Sequence, residues 1–399
     1  MTNTILVTGG TGNIGRHLVE LLRAAGADHR VLARRGAALL PPGTDVVPGD
    51  LTDPASLGPA LAGVDRVFLL WPFLRADGIE GVVKALVDAG VRSVVHVSAL
   101  HVTDDDRRAA GVWGEVEQAI VDAGLGHTFL RASGFATNTL AWAAAIRGGA
   151  TVRIPYPLAR RSLIHEADIA EVAAAALTGD HDGRSYVLTG PAAISQADQL
   201  AAIGAAVGRS VPFAEQPPEE ARAQMLTWGE PAFVDHALGY WASLVDQPEP
   251  VTDTVEEILG RPARGFRRWA DDHVDDFRPL PGREVADRYV QAFRDGRMDR
   301  ALRLTAPDLV RVAPLEDAAE RTGLDEIMAH SEQLTADLQI HGVTADGPFV
   351  EPGGRRFGVR FAFDETHRPT GRRRTTTKFS LYSVHDGAIV REEVYYLDR

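Results

Sequence analysis

Val7-Thr8-Gly9-Gly10-Thr11-Gly12-Asn13-Ile14-Gly15-Arg16 carries glycines at two overlapping spacings: Gly10, Gly12 and Gly15 fit G-x-G-x-x-G, and Gly9, Gly12 and Gly15 fit G-x-x-G-x-x-G. Glycine at these spacings permits a tight turn, close approach of backbone to a pyrophosphate, and packing of a helix against a strand. The helix N-terminus then supplies amide donors and the positive end of a dipole. Thr8, Gly9, Gly10, Thr11, Gly12, Asn13, Ile14 and Gly15 are therefore the candidate residues for holding a dinucleotide. Where the second strand should end, near the adenosine ribose, an acidic residue would favour NAD(H); this chain has Val31-Leu32-Ala33-Arg34-Arg35 instead. Arg34 and Arg35 can clamp a 2′-phosphate and stack on adenine, which selects NADP(H). Asp50 and Leu51 are expected along the adenine edge, and Leu70, Trp71 and Pro72 along the passage to the nicotinamide.

The elements that must position these residues alternate along the first 180 or so positions. Strands are predicted at Thr4–Thr8, His29–Ala33, Asp45–Val47, Arg66–Leu70, Ser93–Val97 and His127–Leu130, and helices at Asn13–Ala25, Pro54–Ala62, Gly78–Ala89 and Trp113–Ala123. Short loops join them, the pattern of a doubly wound parallel sheet covered by helices. Residues 165–278 continue mostly helical, with a strand at Ser185–Leu188. Two prolines and a glycine then fall within Pro279–Gly282, a linker between a domain of residues 1–278 and one of residues 283–399. In the second domain helices come first (Arg283–Asp295, Met298–Leu304, Leu324–Asp337). Strands follow at Gln339–Ala345, Arg356–Phe363, Thr375–Val384 and Ile389–Leu397, a segregated α+β order. His385-Asp386-Gly387 is a hairpin turn between the last two. The fold class is α/β, a Rossmann-type sheet followed by a smaller α+β domain.

Composition narrows the chemistry. The 399 residues include no cysteine, which excludes a thiolate nucleophile, a disulfide framework and cysteine-held metals. Net charge is −13, with no basic stripe of the kind a nucleic-acid binder presents. Apolar runs are strand-sized and no targeting segment is apparent, so no membrane partner and a cytoplasmic location are expected. No metal site is indicated. The cations are almost all arginine; Lys84 and Lys378 are the only lysines.

At these residues the chain resembles the NmrA-like group of atypical short-chain dehydrogenases, over about residues 1–278. The likeness also rests on Gly49-Asp50-Leu51-Thr52-Asp53, Val94-Val95-His96-Val97-Ser98, Glu117 through Arg131 to Phe135 and Asn138, His165-Glu166-Ala167-Asp168, and Leu188-Thr189-Gly190-Pro191. Residues 283–399 look like the SnoaL-like branch of the nuclear transport factor two-like cone fold, through Arg288-Tyr289-Val290-Gln291-Ala292-Phe293 and the hairpin Leu381–Glu393. The resemblance implies an NADP(H)-dependent oxidoreductase with a small-molecule substrate, a cone domain that closes the pocket, mediates homodimer pairing or adds a step, and a setting in natural-product metabolism.

Ordinary short-chain dehydrogenases use Tyr-x-x-x-Lys to move a proton. Glu117 matches the glutamate that often follows that lysine by four, which puts Trp113 at the lysine position and Ala109 at the tyrosine position. Neither residue type occurs between Lys84 and Tyr156, so no shift of register restores the pair. A positioned general acid contributes roughly 10²–10⁴ in rate, so hydride transfer is expected only to acceptors that need little proton assistance: quinones, conjugated enones, imines. Ser98 and His101, at the end of the fifth strand, are the candidate proton donors, and Trp113 either stacks on a flat substrate or packs in the core. Ser133, Phe135 and Asn138, after the sixth strand, are candidates for the substrate wall. His165 and Asp168 are expected to fix a helix start. In the cone domain His330 and Glu393 are the leading acid–base candidates, beside Tyr289, Phe293, Asp337, Asp364 and Tyr395; alternation puts Glu393 and Tyr395 on one strand face and Glu392, Val394 and Tyr396 on the other, with the inward face undecided. Two other functions stay open: a redox-neutral cyclase, isomerase or dehydratase driven from the cone domain, and an NADP-sensing regulator without turnover.

Overall fold

Valine-, isoleucine- and leucine-rich runs such as Thr4-Ile5-Leu6-Val7 and Ser93–Ala99, buried on both faces, suit strands covered by helices on either side. In the computed structural model, which describes residues 4–33, 40, 43–227, 229–278 and 280–397, they do form such a sheet. Strands β1 (Thr4–Val7), β2 (His29–Ala33), β3 (Asp45–Pro48), β4 (Val64–Leu69), β5 (Ser93–Ala99), β6 (Gly126–Ala132) and, after two short strands β7 (Val152–Ile154) and β8 (Arg160–Arg161), β9 (Arg184–Leu188) pair in the order β3-β2-β1-β4-β5-β6-β9. Every pairing is parallel. The order reverses between β1 and β4, which opens a crevice outside their carboxyl ends. The helix Asn13–Ala24 buries Ile14, Leu18, Val19 and Leu22, the stripe expected of a helix lying on a sheet. Two further short strands, β10 (Ile194–Ser195) and β11 (Phe213–Glu215), and the helices Pro218–Met225 and Pro231–Ser243 follow.

By internal contacts the chain divides into one unit of Met1–Ala37, Pro42–Trp142 and Gly149–Val274 and a second of Ala38–Pro41, Ala143–Gly148 and Asp275–Arg399. The second unit holds a six-stranded sheet, β13-β12-β17-β16-β15-β14, built from β12 (Thr305–Val312), β13 (Glu320–Thr322), β14 (Leu338–Val350), β15 (Arg356–His367), β16 (Arg372–His385) and β17 (Ala388–Tyr396). Neighbours are antiparallel except β12 and β17. Asp386 (φ 48°) and Gly387 (φ 76°) make the expected hairpin turn, both in the left-handed region. Strands β12 and β13 are absent from the expectations above. Pro307 interrupts β12, and it sits where the register with β17 shifts between Thr305 and Val310, a bulge that tolerates proline. No described helix is long and apolar enough to cross a membrane.

Candidate functional site

The glycine turn lies at the carboxyl end of β1, at the point of order reversal. Gly9 has φ 64°, and the Gly12 amide donates to the Gly9 carbonyl at 2.9 Å, closing the turn. A Cβ on Gly15 would lie 2.1 Å from the Gly9 oxygen, so only glycine lets the helix sit this close to the loop. Gly12 is the N-cap, with no side-chain cap and no acidic residue in the first turn. The first-turn amides are thus not competed for by a capping carboxylate or hydroxyl, the arrangement that suits a pyrophosphate. The buried Thr8 hydroxyl accepts from the Leu70 amide at 2.9 Å and so ties the ends of β1 and β4 together.

Where the adenine edge is expected, the Asp50 carboxylate accepts from the Thr52 amide at 2.9 Å and the Asp50 amide donates to Ser56 Oγ at 2.9 Å, so the Gly49–Asp53 loop is closed by its own hydrogen bonds. Leu51 packs partly on the core. Arg34 and Arg35 lie outside the described residues. Leu70 is half-buried against Gly9, and Pro72 is exposed. Trp71, expected in the nicotinamide passage, is instead buried in the core: its indole donates to the Arg75 carbonyl at 2.8 Å and its ring meets Phe73 edge-on. Val67, Phe68 and Leu69, which lead up to it, are buried on both faces of the sheet, so alternation could not tell the passage from the core.

Ser98 is buried near the end of β5, and its Oγ has no hydrogen-bond partner among the described residues. A buried unsatisfied hydroxyl costs about 1–3 kcal/mol. A carboxamide reaching the end of β5 would satisfy it, so both this atom and the uncapped helix fit a nicotinamide dinucleotide. His96, two residues earlier, is fully buried; burial pushes its imidazole down to about 4, although a hydrogen bond to the Leu69 carbonyl at 3.0 Å partly opposes this.

The helix Gly111–Asp122 carries Trp113 in its first turn, half-buried, with His101 edge-on at 5.5 Å. His236, from the helix Pro231–Ser243, has its ring centre 6.2 Å from that of His101. The structure therefore brings His101, Trp113 and His236 together, the last far along the chain and without any local motif to announce it. Partial loss of water lowers the His101 pKa, the Ala110 carbonyl partly offsets this, and His236 adds to the lowering. One helical turn after Trp113, Glu117 is buried and locked: Arg131 grips it through two bonds of 3.0 and 2.7 Å, and Arg107 adds one of 3.2 Å.

Past β6 stands Ser133, expected in the substrate wall. It is buried, with Oγ donating to the Ser162 carbonyl at 2.6 Å, so it anchors neighbouring backbone. Phe135 is half-buried and Asn138 exposed, at the mouth of that loop. His165 caps the helix Glu166–Thr178 by accepting from the Ala167 amide at 3.1 Å, and Asp168 is buried on Arg261 at 2.7 Å.

In the second unit, Phe361, Phe363, Tyr289 and Tyr382 help enclose a cavity of about 480 Å³ whose polar lining includes Arg311, Glu365, Lys378 and Glu392. The inward face of β17 carries Glu392 and Tyr396. Glu393 corrects the expectation: it points outward, bonded to Tyr395 at 2.9 Å and Arg391 at 3.2 Å, because period two gives that face the odd positions. His330 is buried on Glu316 at 3.1 Å and is not part of the cavity wall; Asp364 is an outward ion-pair partner of Arg373. Tyr289 donates to Tyr382 at 3.1 Å, and Tyr382 and Ser380 donate to Glu392 at 3.1 and 2.9 Å. Burial alone would raise the Glu392 pKa, but Lys378, Arg311 and these hydroxyls hold it below the ordinary value. Burial and the Glu392 charge raise the Tyr382 pKa well above that of an ordinary phenol.

Comparison with known proteins agrees with this geometry. Residues 9–180 match the family described as NAD(P)H-binding and residues 286–392 that described as SnoaL-like domain. The chain is 39% identical over 292 residues to the (4-alkanoyl-5-oxo-2,5-dihydrofuran-3-yl)methyl phosphate reductase of Streptomyces griseus, covering 69% of this chain and 99% of that one. It is 36% identical over 283 residues to the NAD(P)H azoreductase of Xenophilus azovorans, covering 68% and 99%. The NADPH-dependent quinone oxidoreductase of Escherichia coli, solved with NADPH, shares the fold at TM-score 0.57 and 23% identity, covering 67% of this chain and 99% of that one.

Proposed function

Because this chain belongs to the NAD(P)H-binding, NmrA-like atypical short-chain oxidoreductases, with a SnoaL-like domain after the reductase unit, we propose that it passes hydride from NADPH to a flat, electron-poor double bond in a conjugated enone, quinone or imine. The observation that carries this substrate class is the helix Gly111–Asp122. It presents Trp113 at the lysine position of the proton-moving pair, with Ala109 at the tyrosine position just before the helix and Glu117 clamped one turn on, so the acceptor must be reactive without a strong acid. The names of the relatives fit: an acyl-substituted dihydrofuranone and an azo group are both polarised π systems. Ser98 supports the nicotinamide, Trp113 offers a ring for the acceptor to stack on, and His101 with His236 supplies the nearest exchangeable proton. Arg34 and Arg35 give the preference for the phosphorylated cofactor. The setting in natural-product metabolism, in the cytoplasm, belongs to this reading.

Steady-state oxidation of NADPH by the purified chain, followed at the nicotinamide absorbance band across quinones, enones, imines and simple ketones, tests it. Turnover with the first three classes and not with simple ketones is expected. Tight NADPH binding without oxidation by any of them would overturn it.

A further inference from the structure

We propose that Lys378 is the nucleophile of a second site, in the cavity of the SnoaL-like unit, which takes a flat aldehyde or ketone and holds it as an imine. Arginine does nearly all the cationic work of this chain, with two lysines among 42 Lys+Arg. A position that only needed charge would be arginine like the rest, whereas an amine can be deprotonated and attack carbon and a guanidinium cannot. The two lysines also differ in their surroundings. Lys84 is 73% exposed and paired with Asp88 at 2.6 Å on an outer helix turn. The Lys378 side chain makes no hydrogen bond or ion pair with a described residue; its Nζ sits 5.5 Å and 5.4 Å from the Phe361 and Phe363 ring centres, inside the cavity.

Those rings tolerate a cation but solvate it far less than water does, and burial lowers the Lys378 pKa. Glu392 and Glu316 oppose that lowering and Arg311 assists it. The space of about 480 Å³ suits a molecule of two or three fused rings, and aromatic walls suit a flat one. Lys378, Ser380 and Tyr382 alternate on one face of β16, and Tyr382 stands opposite Glu392 in the β17 register, so hydroxyl and carboxylate groups share the wall with the amine. In the step itself, the Nζ lone pair adds to the carbonyl carbon to give a carbinolamine. Its oxygen then leaves as water with the two hydrogens that Nζ gives up, and a C=N bond remains. No oxidant or reductant is consumed.

The full chain, without added nucleotide, is incubated at pH 7 with 2-naphthaldehyde and sodium cyanoborohydride, which reduces any imine to a stable amine, and the label is mapped by peptide mass spectrometry. Lys84 and the α-amine are internal controls. Labelling of Lys378 severalfold faster than Lys84 is expected, since a lowered pKa leaves a larger share of the amine free at pH 7. Lys378→Arg, which keeps the cation, should lose that label while Lys84 labelling and NADPH binding stay unchanged. Labelling of Lys378 no faster than Lys84 in the wild-type chain overturns the proposal, and that comparison stands even if the variant folds poorly.

Discussion

At Gly15 a single methyl group tests the nucleotide site. Its Cβ would meet the Gly9 carbonyl, which is backbone and cannot swing aside. Overpacking of this kind costs about 1–3 kcal/mol, so Gly15→Ala should weaken NADPH binding by roughly tenfold or more in a calorimetric titration. Replacing both Arg34 and Arg35 by Ala should weaken NADPH by a similar factor and leave NADH little changed, since hydrogen bonds to a charged group are worth about 1.5–3 kcal/mol. His96 makes a pH prediction. Its folded pKa of about 4 lies below the unfolded value of 6.5, so the folded state binds fewer protons between them. The stability it contributes is full above pH 6.5 and is lost as pH falls toward 4, on the order of 3 kcal/mol. Urea titrations from pH 7 to pH 4 should show that decline, and a variant lacking His96 should flatten it.

Among the elements, the helix Gly111–Asp122 depends on the Glu117 clamp. Glu117→Ala would leave Arg131, its side chain 6% exposed, sharing with Arg107 only the more exposed Asp104 carboxylate, and breaking a buried pair costs up to about 3–5 kcal/mol. Chemical denaturation should register that loss, with Glu117→Gln falling between. The strands and helices that build the parallel sheet were legible because each carries a local pattern. Strand β12 was not, because Pro307 reads as a breaker until the bulge opposite β17 is known. Orientation was harder still. Alternation named Glu392 and Glu393 as opposites, but only the curvature of the sheet decides which is inside; the burial of Trp71 and Ser133 was hidden for the related reason that buried neighbours look alike in sequence. His236 joins His101 through tertiary packing alone.

On the scale of the molecule, all six tryptophans precede residue 275, so indole fluorescence reports on the reductase unit and not on the SnoaL-like one. NADPH at a hundred times its dissociation constant should add about 2.7 kcal/mol to the unit that binds it. The fluorescence-monitored melting temperature should therefore rise with NADPH, and an unmoved transition would speak against the site. The central place of β17, between β12 and β16, has a consequence for how the protein is born. While the ribosome is still working, the reductase unit has all its strands and can fold, but β12 must wait some eighty residues for its parallel partner. Until then the half-made cone exposes a bare sheet edge and an open apolar hollow, the kind of surface that chaperones hold.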